Sequence, residues 1–248
     1  MRRLIQCAAV AALLLGVAPF AAEAQQVMAL PNGFYAGVEA GAIVPQSISV
    51  HGSGSSGGET VTANGDLNFK AGPAAGVVFG AHVLPTLAIE GNFEYAGFDL
   101  HSLSGTIVAT GPVAGALSGS IGLQGRFDTY NGLVNAIWTP LAPAALYGIS
   151  PYIGAGVGFS HINASLTAVT VAGSTFTGSV SGDETDFAAN GIIGADFPIT
   201  SSLPQLTAGV RYRLLFVNTA SSGSSGSIFG SNGNFFGHVF TANATWHF

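Results

Sequence analysis

The sequence predicts an all-β chain, a transmembrane up-and-down antiparallel barrel of eight strands with four long loops on one rim and three short turns on the other. Three observations predict it. The last segment, NFFGHVFTANATWHF at 234–248, places Phe236, Phe240, Ala242, Ala244, Trp246 and Phe248 on one parity and Gly237, Thr241, Asn243, Thr245 and His247 on the other. A strand with one aromatic-apolar face and one small-polar face suits lipid outside and a polar lumen inside. The spacing of strand-like segments and the distribution of charge within them supply the other two.

Eight candidate strands fall near 33–44, 74–84, 87–98, 126–139, 151–162, 186–197, 205–217 and 234–248. Each is close to the 9 to 11 residues, or slightly more, that cross a bilayer at a tilt. The first covers GFYAGVEAGAI, and the second and third are joined through Pro85 alone with Thr86. The gaps alternate long and short, as in a barrel with surface loops on one rim and tight turns on the other. Pro85, Pro140, Pro143, Pro198 and Pro204 all fall in the short gaps, where a missing backbone donor does least harm. An even number of strands puts both termini at the short-turn, periplasmic side.

Parity is the sharper test. Val38, Val77, Phe79, Phe93, Val134 and Val157 share the outward parity with further apolar residues, and no Asp, Glu, Lys or Arg joins them. Glu39, Glu90, Glu94, Arg211 and Arg213 occupy the opposite parity, with Asn92, Asn131, Asn135, Asn190 and Asp196. A Lys or Arg on the lipid face at mid-bilayer costs roughly 2 to 4 kcal/mol, so a bilayer would impose this sorting. A soluble barrel with an apolar interior would reverse it. Glu39, Glu94 and Arg211 are expected at similar depth, with Arg213 one step higher and Glu90 two steps lower, forming a polar and ionic network that fills the lumen. Trp138, Phe197, Trp246 and Phe248 are expected to form a periplasmic aromatic girdle, and Phe127, Tyr130, Phe159, Phe187, Phe216 and Phe236 an outer one.

Composition points to the same destination. Charged residues make up 7% of the chain and hydrophobic ones 48%, against about 25% charged in an ordinary soluble domain. Arg2 and Arg3 precede the apolar run 4–18, and Ala22-Glu23-Ala24 supplies small residues for cleavage, so 1–24 reads as a secretory signal peptide and 25–248 as one barrel domain. The single cysteine, Cys7, lies in that signal, which leaves no disulfide or thiol chemistry in the mature chain. From Gln25 onward the cations are Lys70, Arg126, Arg211 and Arg213 against eleven acids, a net charge of about −7 that does not suggest nucleic-acid binding.

Catalytic and metal-binding patterns are weak. Ser160 and His161 are adjacent, but strand neighbours point to opposite faces and make a poor dyad. His101 and Ser102 fall in an expected flexible loop. Asp183, Glu184 and Asp186 offer hard oxygen ligands, yet their spacing matches no full calcium loop, and a solvated loop is the simpler reading. GSGSSGG at 52–58 and SSGSSGS at 221–227 read as flexible surface segments. The expectation is therefore a non-enzyme without metal or other cofactor.

GFYAGVEAGAI at 33–43, PYIGAGVGFSHI at 151–162, GVRYRL at 209–214 and the terminal aromatic resemble the small outer-membrane β-barrel family of opacity-type and Omp25/Omp31-type surface proteins, OmpA-like eight-stranded barrels loosely called porins. The resemblance implies a bacterial outer-membrane location, contact with outer-membrane lipid and lipopolysaccharide, and insertion by the barrel-assembly machinery, with Trp246 and Phe248 as its signal. His247 stands where the family commonly carries an arginine before the last residue. The role expected is structural and surface-interacting, with a narrow or gated porin as the first alternative and a lipid-modifying enzyme as the second.

Overall fold

The computed structural model describes residues 33–56, 59–110, 115–140, 148–171, 174–199, 203–218 and 234–248. The expected signal peptide and the 221–227 segment lie outside them. The chain forms ten strands: β1 (Phe34–Pro45), β2 (Ile48–Ser56), β3 (Glu59–Phe69), β4 (Gly72–Leu84), β5 (Leu87–Thr110), β6 (Gly115–Trp138), β7 (Ser150–Val171), β8 (Ser174–Pro198), β9 (Leu206–Asn218) and β10 (Asn234–His247).

Eight of them close a ring. β1 pairs with β4 on one side and β10 on the other, and β5 pairs with both β4 and β6, so the antiparallel sheet returns to its start without an edge. Closure matters because in lipid every backbone N–H and C=O must find a partner inside the protein. No helix among the described residues is long and apolar enough to cross a membrane.

The outer connections contain more strand than the sequence suggested. β2 and β3 form a hairpin in the first long gap, and β3 pairs with Leu100–Thr110 of β5, continuing the wall above the point where β4 ends. Residues 52–56 of the glycine-serine segment belong to β2, and His101 and Ser102 to β5, rather than to loops. β5 and β6 extend together through Thr110 and Gly115, and β7 and β8 through Val171 and Ser174. β8 also absorbs the acidic trio, and its alternation divides them: Asp186 is buried, whereas Asp183 is exposed on the other face. The opposite rim has tight connections, with Pro85 and Thr86 alone between β4 and β5. Gly148, before β7, has φ of 89°, a left-handed conformation that suits glycine.

Burial follows parity. The outward positions form an exposed apolar belt, with Val38 at 59% and Val134 at 60% relative exposure. Inward positions form two apolar clusters. Tyr35, Ala88, Ile137, Tyr152 and Ile192 lie toward the short-turn rim, and a larger group containing Phe98, Phe127, Leu133, Leu215, Phe235 and Val239 lies toward the outer rim. The ionisable side chains are between them.

Candidate functional site in the lumen

Glu39 on β1, Glu90 and Glu94 on β5, and Arg211 and Arg213 on β9 are all buried, and the structure brings the five together. Alternation accounts for their shared direction: Glu90, Asn92 and Glu94 are two residues apart on one strand, as are Arg211 and Arg213 on another. Arg211 makes a two-pronged contact, donating from Nη1 to Glu90 Oε1 at 2.8 Å and from Nη2 to Glu90 Oε2 at 3.0 Å. Arg213 donates to Glu39 Oε1 at 2.8 Å through Nη2 and to Glu94 Oε2 through Nη1. Glu39 lies between the two guanidinium groups, with its other oxygen 3.6 Å from Arg211 Nη1.

This pairing refines the depth expected from sequence. Glu94 bonds to Arg213 rather than to Arg211, which engages Glu90 nearer the short-turn rim. Neutral groups then occupy carboxylate lone pairs. Asn92 donates to Glu39 at 2.7 Å, Asn131 to Glu94 at 3.2 Å, Asn135 to Glu90 at 3.3 Å, and the Tyr35 hydroxyl to Glu90 Oε2 at 3.2 Å. Arg211 Nε donates to the Tyr152 hydroxyl at 3.1 Å. Ions removed from water are tolerated when they are paired and hydrogen-bonded on several sides, as here.

Glycines make room for this network. A Cβ on Gly156 would collide with the amide oxygen of Asn135, and one on Gly209 with the carboxylate of Asp196 and the amide oxygen of Asn243. Aromatic rings close the layer above. Phe98 stacks on Phe127 with centroids 5.5 Å apart and on Phe235 at 5.6 Å, while Phe69 meets Phe98 and Phe127 edge-on. A register shift between Asn68 and Phe69 accompanies that approach, the re-aiming expected of a bulge.

Phe127 therefore corrects the outer-girdle assignment: it is an inward residue at 3% exposure. Its parity with Asn131 and Asn135 carried that information in the sequence. The same signal was available for Tyr35, four residues before Glu39, and for Phe98, four after Glu94; the polar and charged neighbours drew attention away from both. Tyr130, Phe159 and Phe187 do face outward. Trp246 and Phe248 are outward and exposed at the short-turn rim, where the Phe248 N–H donates to the Phe34 carbonyl at 2.9 Å and ties the chain end to β1.

The remaining candidates are dispersed. Ser160 is buried inward, while His161 faces outward and shares a 2.7 Å hydrogen bond with Thr185. Among the described residues, no three His, Cys, Asp or Glu side chains converge as a metal site. His82 and His247 approach near the short-turn rim with ring centroids 6.3 Å apart, and Tyr35 lies against both.

No protein-family model and no curated protein matches the chain. Among solved structures it is similar to Neisserial surface protein A, at 16% identity over 87% of this chain and 97% of that one with a TM-score of 0.45. It is similar to Ail, the attachment invasion locus protein of Yersinia pestis, solved with the heparin analogue sucrose octasulfate, at 12% identity over 86% and 99% with a TM-score of 0.41. A third is the outer membrane protease OmpT from Escherichia coli, at 10% identity over 92% and 100% with a TM-score of 0.44. The likeness is one of fold. It corrects the expectation of a non-enzyme: a protease stands among proteins of similar shape, so this barrel fold does not decide between enzyme and non-enzyme.

Proposed function

We propose that the chain is a small outer-membrane β-barrel exposed at the bacterial surface, that its lumen is a permanent plug, and that it serves as a structural and surface-interacting component through its outer hairpins. The observation that carries this reading is the pair of bridging arginines, Arg211 on Glu90 and Arg213 between Glu39 and Glu94, beneath the stacked Phe98, Phe127 and Phe235. An eight-stranded interior is just wide enough for side chains to fill. Water and solutes crossing it would have to displace both an aromatic stack and a layer of paired charges. The hairpins of β2 with β3, β5 with β6 and β7 with β8 extend the wall away from the short-turn rim, which supports an interaction role there.

Single-channel recording in planar bilayers tests the plug. Refolded protein of verified heat-modifiable mobility is expected to give no sustained conductance steps. Steady or voltage-gated steps from the wild-type chain would replace this reading with that of a narrow porin.

A further inference from the structure

The lumen holds more negative charge than positive. Its buried carboxylates are Glu39, Glu90, Glu94 and Asp186, and its buried guanidinium groups are those of Arg211 and Arg213. The other two Lys and Arg residues from Gln25 onward stand elsewhere: Lys70 is exposed just past β3, and Arg126 is exposed and holds Asp128 at 3.0 Å. Two carboxylates are therefore in excess inside an interior where uncompensated charge is costly.

Strand register gathers oxygen atoms around one of these acids. Asn131 on β6 pairs with Ser160 on β7, and Ser160 with Asp186 on β8, so three inward side chains stand in one rung with neighbouring Cβ atoms about 4.5 to 5.5 Å apart. All three are buried, at 2%, 1% and 4% exposure. Thr129 and Ile162 wall the rung on its outer side, Leu133 and Ala188 on its inner side, and the Thr129 hydroxyl is already committed to the Ala96 carbonyl at 3.1 Å. Charge orients the Asn131 amide: its Nδ2 donates to Glu94 Oε1 at 3.2 Å, which leaves Oδ1 as the atom offered elsewhere. Neither Asn131 Oδ1 nor Ser160 Oγ has a hydrogen-bond partner among the described residues.

Orphaned acceptors and excess negative charge call for the same guest, a cation that brings no acceptor of its own. An all-oxygen donor set selects a hard metal ion over a soft one. Glu184, half-buried on the same strand face one rung further out, adds charge of the same sign. Calcium suits a flexible set of carboxylate, amide carbonyl and water oxygens at about 2.3 to 2.6 Å, with a hydroxyl standing in for one water, whereas magnesium demands a near-ideal octahedron and gives up its waters reluctantly. Its two charges also match the two excess carboxylates. We propose that Asn131, Ser160 and Asp186 bind one calcium ion inside the barrel, tying β6, β7 and β8 together across the lumen wall. One donor from each of three strands makes no spacing in the sequence, which is why no metal pattern is legible there. The site does not depend on whether the lumen conducts.

The test refolds the mature chain into phosphatidylcholine vesicles free of lipopolysaccharide, in calcium, magnesium or sodium chloride at matched ionic strength. Metal content is measured after exhaustive dialysis against metal-free buffer containing a weak chelator, and stability by urea-driven unfolding. Wild type is expected to retain about one calcium ion per heat-modifiable folded barrel and to show a higher urea midpoint in calcium than in magnesium or sodium. Asp186→Asn should weaken calcium binding about tenfold or more and abolish the calcium-dependent shift, because ligand charge sets affinity at such sites. Ser160→Ala should weaken binding in the same direction, and Asp183→Asn, on the exposed outer face, should leave it unchanged. No retained calcium in the folded wild type, or undiminished binding in folded Asp186→Asn, would overturn the site. Loss of the ion in Asp183→Asn would move it to the outer surface and overturn the luminal assignment. Equal stabilisation by magnesium would overturn the choice of calcium, and equal stabilisation by sodium the choice of a divalent ion. Should a variant not fold, the wild-type metal content still decides.

Discussion

Substituting Arg213 by methionine removes the cation that bridges Glu39 and Glu94 while retaining an unbranched side chain of related length. Arg213 is 1% exposed, so water cannot replace it without rearranging the lumen. Its two charge-assisted hydrogen bonds, to Glu39 and Glu94, are worth about 1.5 to 3 kcal/mol each when solvation is included. Breaking a buried pair by removing one partner costs about 3 to 5 kcal/mol, and the two estimates agree. The expected loss is therefore about 3 to 5 kcal/mol in urea-driven unfolding from lipid vesicles. Fluorescence of Trp138 and Trp246, both exposed on the outer wall, follows the transition. Adding Glu94→Gln should recover part of the loss, because the orphaned charge is then removed. Combining Arg213→Met with Glu90→Gln should recover less, since Glu90 belongs to Arg211. A double-mutant cycle gives the coupling. A value for Arg213 and Glu94 below about 0.5 kcal/mol, the scatter of additive distant sites, would refute the bridging role.

Other outcomes follow from the same wall. Val134→Arg places a charge in the middle of the exposed apolar belt and should cost roughly 2 to 4 kcal/mol, whereas Ser181→Arg, on the polar outer wall, should cost much less; equal losses in the same assay would contradict the position of the belt. Deleting Phe248 removes a residue that is 68% exposed at the short-turn rim and the backbone donor to Phe34, so heat-modifiable mobility should show lower folded yield than Ser224→Ala. Equal yields would count against an assembly role for the terminus. An epitope inserted near Ser55 should be detected on intact cells and one near Ala142 only after permeabilisation, and the reverse would invert the topology. N-terminal sequencing of outer-membrane material should begin at Gln25, while retained Met1 would contradict cleavage after Ala24.

The sequence by itself determined the barrel, because a two-residue period and a bilayer together leave little choice. Charges at strand centres must avoid lipid, so Glu39, Glu90, Glu94, Arg211 and Arg213 declared the inner face before any fold was known. The ring needed only the alternation of short turns and long gaps. Tertiary structure decided what parity leaves open. Which carboxylate each arginine takes depends on strand stagger around the closed ring, and one-dimensional depth counting brought Arg211 level with Glu94 where the folded wall pairs it with Glu90. Phe127 shows a second reason: parity with Asn131 and Asn135 sets its face, but the packing with Phe98 and Phe69 that makes it part of a plug joins residues from three strands and exists only in the fold. The outer hairpins show a third. Segments such as 52–56 and 99–110 have small, polar or mixed residues with weak strand signals, and pairing with a long neighbour supplies the order that their own composition does not. The polar outer wall likewise exists only because β6, β7 and β8 align Asp128, Asn163 and Asp183 in one register, residues separated by 35 and 20 positions in the chain.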